Sequence, residues 1–147
     1  MYAFAKFFHL AAAIVWLGGM FFMLRCLRPE AAAQLAPPAR VPLMAAVLGR
    51  FFVAVWVSIA VLLATGGAMM GATGMKGAPV GQHIMLGIGL LMFALFGHIY
   101  FGPFRRLKLA ATAADWPAAG AQMAKMHPFV MANFVLGWIA VAAVVLL

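Results

Sequence analysis

Charge is what this sequence has least of. Only 8% of its 147 residues are charged, and just two of those are acidic. Soluble domains carry roughly a quarter charged residues, so a large soluble domain is excluded. Cysteine is almost missing too. Cys26 stands alone, which rules out a disulfide framework and a CxxC pair; it reads as a small apolar filler or a free thiol near the membrane interface. The formal charge of +8 comes without a basic stripe interleaved with aromatics. Single-strand nucleic-acid binders need such a stripe, so nucleic acid is excluded as a partner.

What the sequence has is apolar runs. Hydrophobic residues make up 68%, with a mean hydropathy of +1.11. Four long runs cover about residues 3–24, 51–72, 82–104 and 128–147. Each is long enough to cross a hydrocarbon core of ~30 Å as a helix. The expected fold is all-α: one domain, 1–147, an integral membrane four-helix bundle with up-and-down topology and the bilayer as its solvent. The first run has little charged sequence ahead of it and no small-x-small cleavage site, so it reads as a retained span. No tandem repeat at a fixed period is visible. Gly67 and Gly71 form a GxxxG, and Gly87, Gly89 and Gly97 dot the third run. Small residues let helices approach closely, so close packing is expected there, and the GxxxG allows a homodimer.

Basic residues set the expected orientation. The first connection holds Arg25, Arg28, Arg40 and Arg50, and the third holds Arg105, Arg106, Lys108 and Lys125. The second holds only Lys76. The positive-inside rule puts connections one and three in the cytoplasm. Both termini then face the periplasm of a bacterial inner membrane. The connections read as partly helical, turning back as short hairpins. Asp115 is an N-cap candidate, with Pro117 in the first helical turn.

Polar groups inside a span are functional candidates by default, because lipid leaves them unpaired. Here they are Lys6, His9, His83, His98, His127 and Asn133, with Arg50 at the entry to the second run. His9 lies ~9 Å in from the outer end of its helix, and His98 lies roughly 22 Å along the axis from His83. His9 and His83 therefore share one leaflet; His98 and His127 share the other. Two inward imidazoles on separate helices are what a six-coordinate haem b requires. Lys6, one turn outward of His9, would meet a propionate. Ala12, Ala13 and Gly19 would give the ring room, and Trp16 would wall the pocket. Plainer roles exist for each. A lone intramembrane histidine often bridges helices, Lys6 can snorkel, Trp16 can be packing, Asn133 can bond a neighbouring helix, and Arg50 can mark the boundary.

Methionine offers a competing chemistry. Of the 12, Met69, Met70, Met75 and Met85 surround His83 in the chain, and Met123, Met126 and Met131 surround His127. Thioether and imidazole suit Cu(I), although Met is also a common filler of helical cores. No MxxxM pair within a span has a matching partner.

The stretch "KFFHLAAAIVWLGGMFF", followed by "HIMLGIGLLMFALFGHIYFGPFRRL" and "AADWPAA", resembles the CopD-like family of small four-span membrane proteins. The pattern of Lys6, His9, Trp16, Gly18 and Gly19 carries the resemblance, and His83 with His98 strengthens it. The family name implies copper uptake or resistance. The same first-span pattern is similar to the HemJ family, haem-b-binding membrane protoporphyrinogen oxidases. That similarity implies His9 as a haem ligand and Arg50 as the match to an arginine before the second span. Met85 stands where that family has a lysine, so the similarity extends to the haem site and not to the oxidase chemistry.

The leading expectation is a redox-active membrane protein holding one or two haem b groups. His9 and His83 would be axial ligands, with His98 serving a second haem or a structural role, and a quinone or another redox partner would exchange electrons. The alternative is a copper-binding or copper-transport protein with Met69, Met70, Met75, His83 and Met85 as its entry site. A third is a cofactor-free structural or assembly subunit.

Overall fold

The computed structural model describes residues 1–147, the side chain of Met75 excepted. Helix α1 runs Tyr2–Phe22 and passes through a π-helical segment, Met23–Leu27, into α2, Arg28–Gln34. Two extended residues, Leu35 and Ala36, turn the chain back. Helix α3 then runs Pro37–Thr73. A short 3₁₀ turn, Met75–Gly77, leads to α4, Val80–Ile99. A second π segment, Tyr100–Phe104, leads to α5, Arg105–Thr112, and α6 closes the chain over Trp116–Leu146. Among the described residues, four helical units are long and apolar enough to cross a membrane. The protein is an up-and-down, all-α membrane bundle. Its chain termini and the Gly74–Pro79 turn lie at one end, here the terminal end. The two long connections lie at the other, the basic end.

The helix starts follow from local chemistry. Proline costs nothing in a first turn, where its missing N–H would be unpaired anyway. Pro37 and Pro117 sit at such positions in α3 and α6. Asp115 caps α6 by accepting from the Ala118 N–H at 3.1 Å. Helix α3 begins 14 residues before the second apolar run, so at 1.5 Å per residue its ~55 Å exceed the bilayer core. Pro29 and Pro103 also explain the π segments. Each lacks the N–H that the carbonyl one turn back, on Arg25 or Ile99, would accept, and a local widening accommodates the gap.

The architecture repeats although the sequence does not. Units Tyr2–Gln34 and Val80–Thr112 are each 33 residues long. Each is a long helix, a five-residue π segment and a short helix, followed by a long return helix. Helix α1 packs along α3, and α4 along α6. Trp16 and Phe93 each precede their π segment by seven residues, and their rings stack at 5.8 Å and 16° where the two halves meet.

The core lies in the basic half. Trp16 is 3% exposed and also meets Phe96 edge-on. Phe52 of α3 packs edge-on against Phe96 at 5.2 Å and Phe104 at 4.7 Å. Such pairs add about 0.5–1.5 kcal/mol each beyond area burial. Asn133, 1% exposed, donates from Nδ2 to the Met92 carbonyl at 3.2 Å and ties α6 to α4. This is the helix-bridging role the sequence allows. Toward the terminal end, burial stops at Ala12 in α1 and Ile59 in α3. There α4 buries Gly81 and then nothing until Met92.

The close approaches differ from those expected. Gly67, Gly71, Gly87, Gly89 and Gly97 have no neighbour within 4 Å of an added Cβ. Their faces are open, so the GxxxG packs nothing within the chain. The tight sites are elsewhere. A methyl at Gly81 would overlap the Ala143 carbonyl, one at Gly137 the Leu17 side chain, and one at Gly19 the Phe51 ring. Backbone cannot step aside as a side-chain tip can. Overpacking costs about 1–3 kcal/mol, so Gly81→Ala is expected to lower the thermal unfolding midpoint in detergent. Gly87→Ala, in open space, is expected to leave it unchanged or raise it. Equal midpoints for both variants would contradict the Gly81–Ala143 contact.

Candidate functional site

The chemistry-bearing residues fall into three places. The first is at the terminal end. The His9 ring is half-buried against α3, with Nδ1 at 2.9 Å from Thr65 Oγ1. The Thr65 hydroxyl donates back along its own helix to the Val61 carbonyl at 2.6 Å. A hydroxyl has one proton to give. Its oxygen therefore accepts, and His9 Nδ1 carries the hydrogen. That fixes the tautomer and leaves the Nε2 lone pair for a ligand, as a second partner on one ring nitrogen does in metal sites. Gly66 makes room for the ring: a Cβ there would stand 3.3 Å from His9 Cε1.

The other expected ligands at this end have separate partners. His83, exposed near the start of α4, points Nδ1 at the Pro79 carbonyl, 3.2 Å away. It rides on the α4–α6 pair, whereas His9 sits on α1–α3. Lys6 is exposed and Met69, Met70 and Met85 are half-buried; the side chain of Met75 lies outside the described residues. Met69 lies one turn outward from Thr65 and thus on the same face of α3. Trp16 sits inside the aromatic core, the room beside Gly19 is filled by Phe51, and Arg50 is exposed. Among the described residues, no three His, Cys, Asp or Glu side chains gather as a metal site would need.

The second place is a cavity of about 50 Å³ at the basic end. Four methionines line it: Met23 from the first π segment, Met44 from α3, and Met123 and Met126 from α6. Met23, Met44 and Met126 are buried. Arg28 and His127 close one side, and the Arg28 guanidinium donates to His127 Nδ1. A guanidinium cannot accept. His127 Nδ1 is thus the acceptor, and the ring shows the cavity no lone pair while Arg28 stays in place. The methionine thioethers are the soft donors in this lining, which Leu24, Leu48, Phe52 and Val130 complete. A water needs ~10–15 Å³ of such volume, so the space suits one ion or a few waters and is far below a porphyrin.

The third place is a groove of about 360 Å³ lined by His98, Gly102, Pro103, Arg106, Lys125, Pro128 and Phe129. The His98 ring lies 4.8 Å from that of Phe129. His98 and His127, expected in the same leaflet, thus line different spaces.

A model of one family, described as copper resistance protein D, matches residues 45–147. The chain belongs to the copper resistance protein D family. No curated protein and no solved structure matches it. The CopD match covers α4 to α6 and all but the start of α3. It includes Thr65, His83, His98, Met123, Met126 and His127, and leaves His9, Met23, Arg28 and Met44 in the part ahead of it.

Sequence reasoning grouped Met123, Met126 and His127 but missed Met23, Met44, Arg28 and Thr65. Met23 and Met44 join that group only through helix register, which composition does not encode. A threonine one helix away from a histidine carries no local signal. The hydrogen-bond chain makes a spectroscopic prediction. In ¹⁵N-histidine spectra, His9 is expected as the Nδ1–H tautomer, and Thr65→Val is expected to remove that bias and cost about 1–2 kcal/mol of stability. An Nε2–H tautomer in the unaltered protein would contradict it.

Proposed function

We propose that this CopD-family protein binds Cu(I) inside the bilayer, at the cavity between Met23, Met44, Met123 and Met126, as a step in copper passage. One observation carries the proposal: methionines from three separate helical units line one ion-sized space in a copper-resistance family member. Thioether is a soft, uncharged donor that favours Cu(I) over harder cations. Arg28 supports passage over storage. Its fixed positive charge borders the cavity and repels a bound cation, so binding stays weak enough for release. His9 Nε2, with Met69 one turn outward, is the first donor set a copper ion would meet from the terminal end. His83 and Met85, expected in that entry site, sit on α4 and so stand apart from this pair. The positive-inside rule makes the terminal end periplasmic and the basic end cytoplasmic, so passage would run inward past Met23.

Met→Leu conserves volume and removes the sulfur. Met23→Leu with Met126→Leu is therefore expected to weaken Cu(I) binding at least ~10-fold, about 1.4 kcal/mol, in a competitive titration of detergent-solubilised protein. The unfolding midpoint should stay near that of the parent. Unchanged affinity in the double variant would remove this cavity as the site.

A second reading, haem b with His9 as a ligand, keeps one favourable observation, the available Nε2 lone pair. Haem would supply one-electron redox chemistry, and His9 would hold it with Thr65 fixing the ring. A Soret band in protein purified with adequate haem supply, lost in His9→Ala, would replace the copper reading.

A further inference from the structure

We propose that the groove between the second π segment and α6 is a binding site for the phosphate head of an anionic membrane lipid. Three nitrogen-bearing side chains, His98, Arg106 and Lys125, surround this space of about 360 Å³. No acid lines it. The chain has only two acids, and both are engaged elsewhere. Glu30 accepts from Gln34 Nε2 at 2.7 Å, and Asp115 caps α6. The guanidinium and ammonium therefore share one groove with no acid in its lining, and only an outside anion can neutralise them there.

The form of the groove selects the anion. Gly102 offers no side chain and Pro103 no N–H, so the π segment leaves open space beside the cations. Pro103, Pro128 and Phe129 give an apolar floor. Next to it Phe101 is 66% exposed on the outer face of the bundle. A phosphate between Arg106 and Lys125 with a glycerol and acyl chain over Phe101 and Phe129 fits both halves. A free phosphate uses only the polar half. The groove also lies where a span ends, at the depth of lipid headgroups. Basic pockets between helices on the cytoplasmic side are suited to such heads. The orientation rule already accounts for basic residues at this end, but not for two of them lining one groove. The inference does not depend on copper.

The test is native mass spectrometry of the full chain, released from mixed micelles containing equal amounts of phosphatidylglycerol and phosphatidylcholine. The unaltered protein is expected to retain phosphatidylglycerol preferentially. Arg106→Gln with Lys125→Gln is expected to reduce that retention about tenfold, and Arg25→Gln, an exposed arginine outside the groove, to leave it unchanged. Three results overturn the proposal. One is no preference in the unaltered protein. A second is an equal loss in Arg25→Gln, which would make the effect general surface charge. The third is displacement of the lipid by millimolar inorganic phosphate, which would make the ligand a free anion. Matching far-ultraviolet circular dichroism of the variants guards against loss of fold as the cause.

Discussion

Lipid gives two apolar helices no reason to touch. Hydrocarbon solvates a leucine as well as another leucine does, so association in the bilayer rests on tight interlock and on polar groups that lipid cannot satisfy. The whole bundle obeys that constraint. Its helices meet where a ring, a missing side chain or an amide gives them something lipid cannot: Trp16 on Phe93, Gly81 on the Ala143 carbonyl, Leu17 over Gly137, Asn133 on the Met92 carbonyl. Elsewhere the helices face outward. At the terminal end α1 is tied to α3 through His9, which meets Thr65, and little surface is buried there. A purely structural role accounts for that tie. It explains what Nδ1 does and leaves Nε2 unexplained.

The two matched helical units show where the chain departs from pure architecture. Position by position from the π segments, Trp16 corresponds to Phe93, Met23 to Tyr100 and Arg28 to Arg105. His9 corresponds to Leu86. The shared positions build the shared scaffold, with rings stacked across its centre. The differing positions hold the chemistry. Beside the first π segment the lining includes four methionines, Met23, Met44, Met123 and Met126. Beside the second it is aromatic and basic, with Phe129, Arg106 and Lys125. A repeated frame related by an axis along the membrane normal is a common way to build membrane proteins, and its two halves need not bind the same thing.

Much of this was legible in the sequence, for definite reasons. Runs of twenty apolar residues have one stable form in lipid, so the four-helix membrane fold and its alternation followed from length alone. Asp115 and Pro117 announced the start of α6 because capping is local chemistry. Helix pairing was not local. The glycines that looked like contact points, Gly67, Gly71, Gly87 and Gly89, face open space, while Gly81 and Gly137, which lie in no motif, carry the contacts. A motif gives spacing along one helix and says nothing of which face meets a neighbour. The same gap hid the methionine cavity. Met123 and Met126 are close in the chain, but Met23 and Met44 reach them through the crossing of α1, α3 and α6. The family match, over residues 45–147, bears out the CopD-like resemblance and favours the copper alternative over the haem expectation.

The scarcity of acids connects the two spaces at the basic end. A thioether brings no charge, so a monovalent ion held by methionines alone keeps its full positive charge beside Arg28. A carboxylate in that cavity would cancel the repulsion and trap the ion; it would also admit harder cations that bind oxygen. With Glu30 and Asp115 both occupied by their own helices, neither happens. On the copper reading, selectivity would come from donor softness and release from the uncompensated charge. In the other groove the same shortage acts in reverse. Arg106 and Lys125 have no carboxylate to pair with, and the nearest anions at that depth are lipid phosphates. One compositional fact, two acids among 147 residues, thus leaves both the methionine-bearing cavity and the basic groove without a carboxylate in their linings.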